Sequence, residues 1–376
     1  MEGRRKRFRA RYVVFSLVPV VVLFAAAEIA VRVSGLDTPA LKTRPLPEER
    51  EGLLRADDEL FWSLRPDIMK RYRGYWVRTN SLGLRSPAIP EKRPGELRVL
   101  SLGESTTFGA GVGDDETYTA RLADELRARF PGRTITTINA GVSAWSSFQS
   151  LRFLETRGLD LQPDLILFYH EVNDYLPSSL RDSSNSEIGV VKTDMQLHDS
   201  RVRRLQRLLT RFSAVYRFAS LTLARRRIEA FNTDDFFNPV TEIGLPDISI
   251  PPRLADNEPR APVASALHEG ALGRRVSDEE REQILLRLKE IGGERGIALI
   301  VIHPAYRQTE PHVCLLTRVC EAAGISVFDA WDSLHLPEMP PEHLYRDSMH
   351  PNAAGHARLA RDLAEFIIDS GVADGR

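Results

Sequence analysis

The chain has 376 residues, 42% of them hydrophobic and 27% charged, which suffices for a large core in one or two domains. Two cysteines, Cys314 and Cys320, exclude a disulfide scaffold; six residues apart on a helix they read as buried thiols. The net charge of −1 conceals an uneven distribution: outside residues 1–34 the chain carries 44 basic and 50 acidic residues, so its body lacks the basic footprint of a nucleic-acid binder.

The first predicted element is a membrane helix. Arg4, Arg5, Lys6, Arg7, Arg9 and Arg11 precede an apolar run from Tyr12 to Ala27, which resumes after Glu28. About 20 apolar residues span a bilayer, and the basic cluster should stay cytoplasmic. Residues 1–35 are thus expected to be a basic tail and a single-pass transmembrane signal anchor in the cytoplasmic membrane, leaving the rest extracytoplasmic (periplasmic or cell-surface). A signal peptide cleaved at Ala25-Ala26-Ala27 is the competing reading, and it too exports the body. Residues 36–60, with Pro39, Pro45 and Pro47, read as a linker. Phe61 to Pro90, with the turn-like Asn80-Ser81-Leu82-Gly83, reads as a short β-rich approach segment, so 36–96 precede the main domain.

From Leu97 an alternation of strands and helices begins. Strands are predicted at Leu97–Leu102, Thr136–Asn139, Leu165–Tyr169, Ala298–Ile302 and Ile325–Phe328. Helices are predicted at Thr117–Arg129, Ser147–Arg157, Ser277–Glu294, Pro311–Ala323 and Pro351–Ile368. This rhythm points to a parallel five-stranded sheet covered on both faces, with its ligand site beyond the carboxyl ends of the strands. Residues 176–275 interrupt it as an insertion. There Val202, Leu205, Leu209, Phe212, Tyr216, Ala219 and Leu223 form one apolar helical stripe, and residues 199–230 carry nine Arg against one Asp and one Glu. That stripe fits a helix packed on the body with a solvated basic face, a membrane-surface helix, or a lid or dimer element.

The chemistry-bearing residues fall at strand ends. Gly103-Glu104-Ser105 places a serine just past a buried strand, where its hydroxyl can stand exposed as a nucleophile. Gly141 ends the second strand, and Asn173 follows the third with a side-chain amide donor. Asp347 and His350, three residues apart before the last helix, can share a hydrogen bond, the Asp fixing the imidazole tautomer and the His taking the serine proton. His303, at the end of the fourth strand, is placed either to line the same cleft or to serve structure. The adjacent His170 and Glu171 lack the spacing of a helical zinc motif, and no cysteine lies near them; neither metal nor cofactor is called for.

The ordered set Gly103–Ser105, Gly141, Asn173 and Asp347–His350 resembles the SGNH, or GDSL, hydrolase family, over about Leu97 to Ile368 with the insertion set aside. The Asn80–Arg85 stretch also looks like that of membrane-tethered bacterial members. The resemblance implies a three-layer α/β/α, flavodoxin-like domain over 97–376. It implies a serine esterase acting through an acyl-serine, with Ser105, Asp347 and His350 as catalytic residues. Ser105, Gly141 and Asn173 would form the oxyanion hole. Small acyl groups on an extracytoplasmic glycan or similar small molecule are the implied substrates. An O-acyltransferase using the same triad, or a non-catalytic glycan-binding or assembly protein, are the rivals. Two positions depart from the family pattern. Glu104 replaces an Asp, adding a methylene to the nucleophile turn. Glu171 replaces a Gly, as a side chain turned to solvent or as a substrate contact narrowing the acyl pocket.

Overall fold

The structure, a computed structural model, describes residues 2–34, 53–57, 59–72, 74–175, 193–199, 274–307 and 314–372, with Leu36 and scattered positions between 204 and 219. The chain forms two compact units. One comprises residues 53–198 and 257–376; the other comprises 1–52 and 199–256.

The first unit opens with two antiparallel hairpins. Strand β1 (Leu54–Asp57) pairs with β2 (Phe61–Leu64), and β3 (Met69–Tyr72) with β4 (Tyr75–Arg78). The first strand lies inside the stretch expected to be linker, because Leu53, Leu54 and Leu60 are buried. The Asn80 turn forms as its composition suggests: Asn80 Oδ1 accepts from the Leu82 and Leu84 amides, and Gly83 takes φ 73°.

All five predicted strands of the main sheet are present: β5 (Leu97–Gly103), β6 (Ile135–Gly141), β7 (Leu165–Tyr169), β8 (Ala298–His303) and β9 (Ser326–Asp329). They pair in parallel in the order β6-β5-β7-β8-β9. The strand order reverses between β5 and β7, which puts a crevice at their carboxyl ends. Both strands are buried along their whole length, as expected of a sheet covered on two faces.

Alternate strand residues feed the two layers. Leu97, Val99, Leu165, Leu167, Ile300 and Ile302 pack with Leu122 and Leu126 of helix α3 (Tyr118–Arg129) and with Leu359, Leu363 and Ile367 of the C-terminal helix (Ala353–Asp369). On the opposite face Leu100 meets the segment after α4 (Ser147–Phe153), beside Leu154 and Gly158. The helix predicted to reach Arg157 ends at Phe153 and continues as a wider π-turn to Gly158, whose missing Cβ leaves room for Leu100. The long helix Asp278–Arg295 completes that layer and packs on α4. It starts where the sequence signals: Ser277 Oγ accepts from the Glu280 amide, and the Glu280 carboxylate accepts from the Ser277 amide. The helix Leu315–Ala323 carries buried Cys320 and has Cys314 as its N-cap; both thiols are free.

Both flanks of the predicted insertion pack on the body. Asp194–His198 forms a helix that packs on α4, and Asp194 and Arg275 are buried and joined by a 2.7 Å salt bridge. Residues 176–192 and 220–273 lie outside the described residues.

In the second unit, helix α1 (Glu2–Ser34) covers the predicted membrane segment. Among the described residues, however, no helix is long and apolar enough to cross a membrane. The predicted continuous stripe of the insertion is interrupted: Ser213 is non-helical between helical positions Phe212 and Ala214, and Leu205 and Phe212 are exposed. Val202 and Leu223 lie outside the described residues.

Candidate active site

The end of β5 turns into a single helical turn, α2 (Ser105–Phe108), with Ser105 as its first residue. A first helical residue has no intrahelical acceptor for its N–H, so that donor points out of the turn beside the Ser105 hydroxyl. Gly109 closes the turn at φ 86°, its amide bonding back to the Ser105 and Thr106 carbonyls. The approach segment braces this turn. Arg85 is buried, and its guanidinium donates to the Phe108, Gly109 and Val112 carbonyls at 2.8 Å each, to Trp76 O at 3.2 Å and to Asp114 at 2.8 Å. One arginine thus holds the exit of the Ser105 turn from several sides, which lysine's point charge cannot do.

Ser105 Oγ lies 2.8 Å from His350 Nε2. His350 Nδ1 lies 3.0 and 2.9 Å from the two Asp347 carboxylate oxygens. Asp347 Oδ1 also accepts from the Met349 and His350 amides, a tight turn that the Asp-x-x-His spacing creates by itself. Burial opposes ionisation of Asp347, but the His350 ring and these two amides outweigh it and hold the carboxyl well below the usual range. Asp347 is therefore a carboxylate, a partner that keeps the proton on Nδ1 and leaves Nε2 to accept from Ser105. Three residues separated by 245 positions in sequence are joined by one hydrogen-bonded chain.

The expected oxyanion donors are placed unequally. Asn173 lies in the short helix Val172–Tyr175, and its Nδ2 donates to Trp145 O at 3.0 Å, which leaves the second hydrogen of that amide. Gly141 is placed otherwise than expected. Its amide donates to Asn139 Oδ1 at 2.9 Å. A Cβ on Gly141 would lie 2.3 Å from the Phe108 nitrogen and 2.6 Å from the Thr107 carbonyl carbon. The glycine lets β6 and the Ser105 turn touch, and its N–H is taken up by Asn139. The loop beyond it turns at Ala144, a non-glycine at φ 64°. Its carbonyl accepts from Arg275 at 2.5 Å, and the next carbonyl, that of Trp145, holds Asn173.

The two family departures meet in a buried charged cluster that sequence reading missed. Glu104, Glu171 and Asp174 are all buried, as are Arg275 and Arg281. Glu171 is therefore not turned to solvent. Glu104 Oε2 accepts the Asn173 amide at 3.3 Å, so the extra methylene reaches the donor loop. Burial, reinforced by the nearby Asp174 and Glu171 charges, pushes the Glu104 carboxyl up to about 8. Asp174 accepts from the Ser147 amide at 2.7 Å and pairs with Arg281 at 3.2 Å. Arg275 binds Asp194 and Gln149, so the two borders of the insertion are clamped against the loop that carries Ala144. The only available signal was the Glu-for-Asp and Glu-for-Gly pair; the arginines lie more than a hundred residues away in the sequence.

His303 ends β8. It is buried, with Nδ1 3.1 Å from Asp329 Oδ1. Burial disfavours its charge, but Asp329 and Cys314 override that and raise it to about 10. His170 is also buried, with Nε2 2.7 Å from Ser150 Oγ; desolvation, aided by Arg275 and Arg281, lowers it to about 3, so the ring is neutral. Among the described residues no group of three or more His, Cys, Asp or Glu side chains could hold a metal ion.

A family model described as GDSL-like lipase/acylhydrolase matches residues 99–363. No curated protein matches the chain. Similar solved structures include LAE5, an alpha/beta hydrolase enzyme from the metagenome of Lake Arreo, Spain. It is 18% identical over 74% of this chain and 96% of its own, with a TM-score of 0.41. Axe2, an acetylxylan esterase from Geobacillus stearothermophilus, is 16% identical over 73% of this chain and 94% of its own, with a TM-score of 0.39. A two-domain esterase (CEX) active on acetylated mannans is 15% identical over 75% of this chain, with a TM-score of 0.41; the match spans 51% of that protein.

Proposed function

The chain belongs to the GDSL-like lipase/acylhydrolase family and is a serine carboxylic ester hydrolase; we propose from that premise that Ser105 is its nucleophile, relayed through His350 and Asp347. The observation that carries this reading is the unbroken chain from Asp347 through His350 to Ser105 Oγ. Ser105 Oγ attacks the ester carbonyl while His350 Nε2 takes its proton. His350 then returns the proton to the departing alkoxide, leaving an acyl-serine. Water enters by the same route, activated by the same imidazole, and releases the acid. The oxyanion is held by the Ser105 N–H, by the second hydrogen of Asn173 Nδ2, and by the turn at Ala144, which takes the part expected of Gly141. Intact mass after treatment with a fluorophosphonate tests this reading. The wild type should gain one adduct and Ser105→Ala none; an adduct retained by Ser105→Ala would overturn the assignment.

The finer reading is hydrolysis of small acyl esters on a glycan or similar extracytoplasmic substrate. Burial of Glu104 after β5, and of Glu171 and Asn173 after β7, supports a narrow acyl site. An acceptor sugar replacing water would make the same acyl-serine an O-acyltransferase intermediate. Free acetate measured against acetylated glycan, from an acetyl donor and a glycan acceptor, decides between them. The proposed address is the outer side of a cytoplasmic membrane, supported by the basic cluster before the apolar run of α1. A C-terminal reporter active only outside the cytoplasm should work.

A further inference from the structure

Glu28 stands alone as an acidic residue within the apolar stretch of α1, where a carboxylate facing hydrocarbon would be costly. Its side chain is nonetheless fully engaged. Arg32 donates to it at 2.7 Å, the Ser213 hydroxyl at 3.0 Å, and the Ala214 and Val215 amides at 2.6 and 3.1 Å. Arg32 reaches on to the Phe212 carbonyl at 2.8 Å. The donors from 213–215 are those freed by the break in the insertion's helical stripe, where Ser213 Oγ accepts from the Tyr216 amide. Carboxylate and break satisfy each other.

The surroundings of this latch are apolar and open. On α1, Val20, Leu23 and Val33 are exposed by 59%, 74% and 84%; on the insertion, Leu205, Leu208 and Phe212 are exposed by 55%, 55% and 62%. The sequence supplies basic residues to both partners: six between Arg4 and Arg11, and nine arginines in 199–230. Exposed apolar side chains on two segments whose sequences are rich in Lys and Arg suit an anionic phospholipid bilayer, which offers hydrocarbon to the one and headgroup charge to the other.

We propose that the 204–219 stretch of the insertion is part of the membrane attachment: Glu28 latches it onto α1, and both present their apolar side chains to lipid. This rests on the membrane address proposed above. It removes this stretch of the insertion from the candidates for an active-site lid.

The test uses the full chain on phosphatidylcholine vesicles containing phosphatidylglycerol. An environment-sensitive fluorophore is placed at Phe212→Cys, with the unsubstituted protein as control for its two buried native thiols. The chain should float with the vesicles, and the fluorophore should be quenched by lipids carrying a spin label in the acyl chain. Glu28→Ala should still float and still react with a fluorophosphonate, but lose the quenching; Glu28→Gln, which keeps one acceptor, should lose it in part. A chain that floats with an unquenched fluorophore overturns the latch and leaves the membrane address standing. Quenching unchanged in Glu28→Ala overturns the role of Glu28. A chain that does not float overturns both readings.

Discussion

Replacing Glu104 by glutamine removes an ionisable group from the buried cluster and keeps the acceptor for the Asn173 amide. The native carboxyl titrates at about 8 against an ordinary 4.5, a difference on the order of 5 kcal/mol between its two protonation states. Below 4.5 it is protonated whether the chain is folded or not, and contributes no pH dependence. As pH rises from 4.5 towards 8, the unfolded chain releases the proton that the folded one retains, so stability falls; above 8 both forms are ionised and the loss is complete. Glutamine, permanently neutral, escapes this loss. Urea unfolding followed by tryptophan fluorescence suits the measurement, because Trp62, Trp76, Trp145 and Trp331 all belong to the catalytic unit. From about pH 5 to about pH 9 the advantage of Glu104→Gln should grow from under about 1 kcal/mol to several. Parallel stability curves for the two proteins would refute the reasoning, because they would mean that the carboxyl is ionised at little cost.

Asn173→Ala should lower kcat roughly 10²–10³-fold on a short-chain aryl ester, the loss expected for one oxyanion donor, and an unchanged rate would remove Asn173 from the site. Gly141→Ala should lower the melting temperature as well as the rate, because its Cβ meets the Phe108 backbone and overpacking costs about 1–3 kcal/mol. A stable but slow Gly141→Ala would instead point to a role for its amide. Arg85→Met strands several buried carbonyls, each costing about 1–3 kcal/mol, so it should destabilise the unit in thermal unfolding. Native-like melting would show that the brace is dispensable.

Much of this protein is readable along the chain. Buried strands of five to seven residues, such as Leu97–Gly103 and Leu165–Tyr169, announce themselves as apolar runs, and helices such as Asp278–Arg295 announce their starts by a local capping pattern. Asp347 and His350 are legible because three residues on one turn suffice to join them. Ser105 is legible as a polar residue where a buried strand must turn. What the sequence by itself determined are these short-range features, because period, capping and turn chemistry depend on neighbours in the chain. Tertiary structure alone decided the rest. It brought Gly141 against the Thr107 and Phe108 backbone. It also set Arg275 against Asp194, Arg85 against the turn Ser105–Phe108, and Glu28 against Ser213. These are contacts between segments far apart in sequence. A buried charge or amide takes whichever partner the packing brings within about 3 Å, and no local pattern encodes that choice.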